Sequence, residues 1–317
     1  MLFNNGTKAV LITVMFIIDG INMISNFITQ HKLPEKFRLT IQDYYKPLAD
    51  SVFNRFKASN TPYFVGINGC QGSGKSTLTD FVATYLTTQY QLNVVVMSLD
   101  DFYLSSKKRN ELAKDIHPLL ATRGVPGTHD MVALSHILTQ LTDHKTGFYI
   151  PRFNKATDEP YPENQWTLID KPVDIVLLEG WCWGVQPQTD EQLQAPINEL
   201  ELQHDTSGEW RNYVNQQLKK SYEPLYSKMN FWLALQAPSF DCVYQWRLEQ
   251  EEKLKARNVD LCDSKIMSPA QILNFTQYFQ RLSVQGCNTI SHSADAVFHL
   301  DYNRQITDMP ITEIEAV

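Results

Sequence analysis

The chain has 317 residues, 43% apolar and 20% charged, the composition of a folded soluble protein with a sizeable core rather than a disordered one. Its 28 Lys and Arg stand against 35 Asp and Glu, a formal charge of −7, and no long basic block occurs. No nucleic acid and no anionic membrane is expected as its main partner, whereas a small anion held in a local pocket is compatible with that sign.

The first apolar run, Ala9 to Ile18, ends at Asp19 and is too short for the roughly 20 residues of a membrane span. One Lys8 ahead of it and no small-x-small pattern behind make it a weak signal peptide. It reads as an extra packed element, or as sequence ahead of a later start at Met15 or Met23. Residues 1–30 are therefore set aside as an extension, and 31–317 read as one domain. Pro34 to Phe56 has helical spacing of Phe37, Ile41, Tyr44, Tyr45, Leu48 and Phe53. Five cysteines, Cys70, Cys182, Cys242, Cys262 and Cys287, form no Cys-x-x-Cys pair and no zinc spacing, so free thiols in a reducing, cytoplasmic setting are expected.

Beyond residue 60 the pattern changes to short apolar runs alternating with amphipathic ones. Strands are expected at Tyr63–Ile67, Val94–Leu99, Val173–Leu178, Phe231–Leu235 and Ala296–Leu300. The near-continuous apolarity of the third suits a parallel strand covered on both faces. Helices are expected at Thr77–Tyr90, Met131–Leu141, Glu209–Tyr222 and Pro238–Asn258, long enough for the crossovers that parallel strands need. This alternation predicts a doubly wound α/β fold with a parallel sheet of about five strands. Ser105–His129 and Gly147–Trp166 read as loops near the site, and Gln186–Gln203 as a polar, exposed insertion.

The strongest motif is Gly69-Cys70-Gln71-Gly72-Ser73-Gly74-Lys75-Ser76-Thr77, which matches Gly-x-x-x-x-Gly-Lys-Ser between a strand and a helix. Glycines let successive N–H groups turn toward an anion, and the helix N-terminus adds its positive end. Lys75 supplies a mobile charge for the β- and γ-phosphates of a nucleotide, and Ser76 a hydroxyl for Mg²⁺. Cys70 reads as a small filler rather than a reactive group.

Two further strands end in acids. Asp100-Asp101-Phe102-Tyr103 follows the second, at the carboxyl end where doubly wound sheets bind ligands. Asp100 there can accept the proton of an attacking hydroxyl and hold Mg²⁺. Asp101 and Tyr103 are acceptor-side candidates, although either aspartate could instead cap the following turn. Glu179-Gly180-Trp181 follows Val173–Leu178 and places Glu179 in a Walker B position, with a Mg²⁺ contact as its expected task.

These segments together resemble the superfamily of uridine kinase, pantothenate kinase and phosphoribulokinase. Within it the sequence is similar to the D-glycerate 3-kinases of plants, fungi and bacteria. Their pattern includes Asp-Asp-Phe-Tyr, then segments that here read Arg123-Gly124-Val125-Pro126-Gly127-Thr128-His129-Asp130 and Pro151-Arg152-Phe153-Asn154-Lys155, then Glu179-Gly180-Trp181. The resemblance runs from Lys46 to Asn303. It implies a five-stranded parallel core, a mobile lid, ATP with Mg²⁺ as donor, Asp100 as base, and Ser76 and Glu179 near Mg²⁺. The chain departs from the pattern at Cys182-Trp183, which bears on the acceptor pocket.

On the acceptor side, Arg123 or Arg152 could grip the carboxylate of a small hydroxy acid in a bidentate fork. Lys155 could neutralise the transferring phosphoryl group. Asp130 precedes a helix and is suited both to capping it and to binding the acceptor hydroxyl. The resemblance implies a lid near Trp246–Arg257 with an arginine that reaches the phosphates, and Arg247 is the candidate for it. The same stretch also reads as a solvated helix with pairs Glu249–Lys253 and Glu251–Lys255. The reading is an ATP-dependent small-molecule kinase, with D-glycerate the first candidate acceptor and a nucleoside or pantothenate-like acceptor the alternative. A nucleotide-driven ATPase switch is the rival from another class, and no protein partner is inferable.

Overall fold

The computed structural model describes residues 22–59, 62–257 and 267–309. The run Ala9–Ile18, Cys262 and the side chains of Lys253 and Lys255 lie outside the described residues. In chain order the strands are β1 (Tyr63–Gly69), β2 (Val94–Ser98), β3 (Phe148–Ile150), β4 (Phe153–Asn154), β5 (Glu159–Pro160), β6 (Thr167–Ile169), β7 (Ile175–Gly180), β8 (Phe231–Gln236), β9 (Ala296–Leu300) and β10 (Ile306–Asp308).

The central sheet has the order β10-β9-β8-β1-β7-β2. Its five long strands are parallel, and β10 is an antiparallel edge strand that the sequence reading did not contain. Alternate side chains enter opposite layers, as the two-residue repeat of a strand requires. Ile175 and Leu177 join one buried apolar cluster, Val176 and Leu178 the other. A strand covered on both faces is therefore apolar throughout, which is why β7 reads as one continuous run. It begins at Ile175 rather than Val173 because the Asp174 carboxylate accepts from the Asn93 amide at 2.7 Å and closes the preceding turn.

The helix Lys75–Tyr90 packs Leu78, Phe81, Val82, Tyr85 and Leu86 on the first face. Residues 22–30, set aside with the extension, are helical and bury Phe27 and Ile28 in the same layer, Phe27 meeting Phe81 edge-on at 5.2 Å. The expected N-terminal helix is formed as Phe37–Thr40, a π-turn Ile41–Tyr45 and Lys46–Lys57.

On the other face lie Met131–Thr142, Glu209–Gln217 with its π-turn Leu218–Tyr222, and Pro269–Thr289. Four segments differ from the sequence reading. Ser105–His129 is not all loop: it contains the helix Ser106–Asp115, hidden because its only buried side chain is that of Arg109. Gly147–Trp166 holds strands of two ribbons, β3 paired with β6 and β4 with β5. Gln186–Gln203 is not simply exposed: it carries the helices Asp190–Leu193 and Glu199–His204, and buried Glu201 receives Arg281 at 2.5 Å. The 21-residue helix Pro269–Thr289 was not read at all. Among the described residues no helix is long and apolar enough to cross a membrane.

Candidate active site

The loop after β1 carries the phosphate motif. Gly72 and Gly74 adopt φ of 79° and 97°, in the left-handed region that favours glycine. A Cβ on Gly72 would lie 2.8 Å from Cβ of Trp246, so a side chain is excluded there by contact as well as by backbone. The helix starts at Lys75 with its first-turn amides lacking intrahelical acceptors. Lys75 Nζ donates to the Cys70 carbonyl at 3.2 Å and lies 3.9 Å from Glu179 Oε2. Cys70 is buried, and burial pushes its thiol up to about 12, which suits a filler. Ser73 Oγ and Gln71 Oε1 are buried without a protein partner. Free amides, an unpartnered hydroxyl and a lysine on one concave loop form a donor set that fits a polyphosphate.

Glu179, the last but one residue of β7, lies opposite Ser98 of β2 in the strand register. Its carboxylate is 8% exposed as a residue, and Oε1 accepts from Ser76 Oγ and Ser98 Oγ, both at 3.1 Å. A carboxylate beside the motif serine is the oxygen pair a hard divalent cation takes.

Asp100 sits in the 3₁₀ turn Leu99–Phe102 that follows β2. Its Oδ1 accepts from Tyr103 Oη at 2.7 Å and its Oδ2 from Lys155 Nζ at 2.5 Å. Burial alone would raise this carboxyl. The Lys155 ammonium and the Tyr103 hydroxyl outweigh it and hold the group below the usual carboxylate range. Behind Tyr103, the His129 ring stacks at 4.5 Å, and its Nδ1 lies 2.7 Å from Tyr222 Oη. Burial lowers His129 to about 4, so the ring is neutral.

A cleft of about 250 Å³ gathers Lys75, Ser76, Asp100, Tyr103, Arg123, Lys155, Glu179 and Arg247, side chains drawn from widely separated parts of the chain. Gln71, Gly72, Trp181, Gln250, Phe275 and Phe279 complete its wall.

Asp101, Arg152 and Asp130 are not part of that lining. Asp101 accepts from the Ser98 amide at 3.1 Å and from Arg152 at 2.6 Å, while Arg152 also binds Thr167 Oγ1 and the Val96 carbonyl. The pair is spent on bracing the β2 turn. Burial raises the Asp101 carboxyl despite Arg152. Asp130 caps Met131–Thr142 by accepting from the Ala133 amide at 2.9 Å. Arg247 pairs with Glu251 and lies over the Phe275 ring at 5.7 Å. Glu249 pairs with Arg304.

Sequence reasoning missed the aromatic wall. Phe275 and Phe279 are four residues apart on the unread helix, whose start is marked by a Ser268–Gln271 capping box and Pro269; that signal was available. Trp181 meets Phe279 edge-on at 5.0 Å and donates to the Gly124 carbonyl at 3.0 Å. The departure at Cys182-Trp183 falls in the core: both are fully buried and neither lines the cleft.

No family model matches the chain. It is 33% identical over 269 residues to uncharacterized kinase mug58 of Schizosaccharomyces pombe, across 78% of this chain and 91% of that protein. It is 28% identical over 237 residues to the chloroplastic D-glycerate 3-kinase of Arabidopsis thaliana, across 69% of this chain and 49% of the plant protein, about half its length. Among solved structures, D-glycerate 3-kinase from Cryptococcus neoformans var. grubii superposes with a TM-score of 0.70 at 25% identity, covering 86% of this chain and 99% of that one.

Proposed function

The chain belongs to the family of ATP-dependent P-loop kinases that includes kinase mug58 and D-glycerate 3-kinase, and we propose that it phosphorylates a small hydroxy acid, D-glycerate first, giving 3-phosphoglycerate. It is an ATP-dependent phosphotransferase acting on a small molecule. The reading of its acceptor is carried by one observation: the cleft that holds the phosphate loop also holds the Asp100 carboxylate and three further cations, of which Arg123 and Lys155 are taken to serve the acceptor side and Arg247 the phosphates. A donor-binding wall thus faces the same space as a base and an anion-binding pair.

Asp100 takes the proton of the acceptor hydroxyl as that oxygen bonds to the γ-phosphorus of ATP and the γ-phosphorus–oxygen bond to ADP breaks, ADP leaving with the bridging oxygen. Lys155 keeps the carboxylate ionised and adds positive charge at the reacting end. Lys75 and Arg247 offset charge on the phosphates, Arg247 from the helix Asp241–Arg257. Ser76 and Glu179, with Asp100 nearby, are the residues that would hold Mg²⁺, which supplies charge neutralisation on the phosphoryl group. Arg123 receives the acceptor carboxylate, and Tyr103 orients Asp100. Tyr103, Trp181, Phe275 and Phe279 limit water at the reacting centre. The free thiols of Cys70, Cys182, Cys242 and Cys287 suit a cytoplasmic setting.

The test is ADP release measured across acceptors: D-glycerate, other hydroxy acids, a nucleoside, pantothenate and none. Stimulation by D-glycerate is expected. Turnover unchanged by D-glycerate rejects the acceptor, and turnover indifferent to every acceptor favours an ATPase switch.

A further inference from the structure

Asp158 has no part in the reading above, yet it joins two arginines of opposite exposure. Its Oδ1 accepts from Arg123 and its Oδ2 from Arg109. The Arg109 side chain is 1% exposed and that of Arg123 is 30% exposed. Asp158, with Glu159 beside it, faces the buried Arg109, and Arg123 is the member of the group that lines the cleft. Arg109 is fixed from within: it donates to the Leu104 carbonyl at 2.5 Å and to the Ala121 carbonyl at 3.2 Å. Leu104 directly follows Tyr103, whose hydroxyl holds Asp100.

Asp158 also lies in the turn between β4 and β5, three residues after Lys155, with φ of 61°. Its neighbour Glu159 accepts from Ser106 on the helix Ser106–Asp115. One carboxylate therefore ties three things together: the turn that carries Lys155 to Asp100, the buried arginine anchored beside Tyr103, and the arginine in the cleft.

We infer that Asp158 is a positioning residue that fixes the separation between Arg123 and the Lys155–Asp100 pair, and thereby makes the kinase prefer a hydroxy acid over a neutral polyol. The inference rests on the acceptor reading given above. An acceptor with a carboxylate at one end and the reacting hydroxyl at the other has to span that separation. A neutral polyol gains nothing from Arg123 and is indifferent to where it stands.

The experiment compares D-glycerate with glycerol as acceptors for wild type, Asp158→Asn, Asp158→Glu and Arg123→Gln, with KM for ATP measured alongside. Asparagine tolerates a left-handed φ as aspartate does, so the turn keeps its shape. Asp158→Asn is expected to raise KM for D-glycerate about tenfold or more, the worth of a charge-assisted contact. The D-glycerate to glycerol ratio of kcat/KM falls by the same factor, and KM for ATP stays at its wild-type value. Asp158→Glu recovers part of the ratio. Arg123→Gln, which leaves the Arg109–Asp158 pair in place, lowers the ratio at least as far, and Asp158→Glu, which keeps the charge but shifts it, supplies the answer if Asp158→Asn does not fold: a wild-type ratio there overturns the inference. An unchanged ratio in a folded Asp158→Asn overturns the inference whatever Arg123→Gln does, while wild-type turnover of D-glycerate leaves the functional reading standing. KM for ATP rising in step with that for D-glycerate also overturns it, as a general structural loss. A wild-type enzyme that turns over no carboxylate-bearing acceptor removes the reading and this inference together.

Discussion

The Lys155 ammonium lies 2.5 Å from Oδ2 of Asp100, so the carboxylate that receives the acceptor's proton is itself held by a cation from a turn distant in sequence. Lys155 is 59% exposed and Asp100 25% exposed at the side chain. The lysine therefore has room to leave, while the carboxylate does not. Ionisation of Asp100 and positive charge at the reacting end come from one contact.

The acid limb of the pH–rate profile reports that contact. Because Lys155 and Tyr103 hold Asp100 below the usual carboxylate range, the acid limb of wild-type kcat/KM is expected to lie below the pH at which an ordinary carboxylate titrates. In Lys155→Met the burial of Asp100 is no longer opposed by the ammonium, its pKa rises, and the limb moves to higher pH. A limb that stays put in the variant removes Asp100 as the titrating base.

Asp100→Asn keeps the size of the side chain and an acceptor for Tyr103 but takes no proton. Transfer is expected to fall by roughly 10²–10⁴-fold, the usual contribution of a general base. ATP binding, followed by equilibrium titration, is expected to persist because the loop Gly69–Thr77 is untouched. Unchanged transfer rejects the role.

Ser98 orients Glu179 from behind, donating to Oε1 at 3.1 Å while its own Oγ accepts from the Asp100 amide at 3.3 Å. Ser98→Ala leaves the carboxylates in place but loosens one of them. The Mg²⁺ concentration for half-maximal rate is expected to rise roughly 10–100-fold, as for other outer-sphere partners of a metal-binding group. Ser98→Thr retains the hydroxyl and is expected to restore it.

Buried His129 makes stability depend on pH. The folded ring titrates at about 4 against 6.5 for a free histidine, so between those values the unfolded chain binds a proton that the folded one refuses. Stability is therefore full above pH 6.5 and is lost as pH falls toward 4, by about 3 kcal/mol in all. Denaturant unfolding across that window is expected to show this slope in wild type and a flatter one in His129→Gln.

The site was legible where chemistry is local. The loop Gly69–Thr77 needs its residues in one turn, and Asp100 and Glu179 each close an apolar strand, so the sequence order alone locates them. The pairing of Arg152 with Asp101 was not legible because the two lie 51 residues apart, a distance no spacing rule reaches. Asp158 went unseen for the same reason: its two arginines lie on other elements. The helix Ser106–Asp115 was hidden because it buries a charged side chain where an apolar stripe is the usual sign. Arg109 survives there only because a carboxylate and two carbonyls meet its donors.

The two glycines of the phosphate loop separate backbone strain from contact. Both have positive φ, but a Cβ at Gly74 meets nothing within 4 Å, whereas one at Gly72 meets Trp246 Cβ at 2.8 Å. Trp246 cannot retreat cheaply: it is buried, and its indole Nε1 donates to the Tyr302 carbonyl at 2.8 Å. Gly74→Ala is expected to cost the strain of a left-handed alanine, about 1–2 kcal/mol. Gly72→Ala adds overpacking of about 1–3 kcal/mol and displaces the helix Asp241–Arg257 that carries Arg247. Urea midpoints are therefore expected to rank wild type above Gly74→Ala above Gly72→Ala, with kcat reduced further in Gly72→Ala than its stability loss accounts for at saturating ATP. Equal midpoints for the two variants reject the contact with Trp246 as the reason for glycine at position 72.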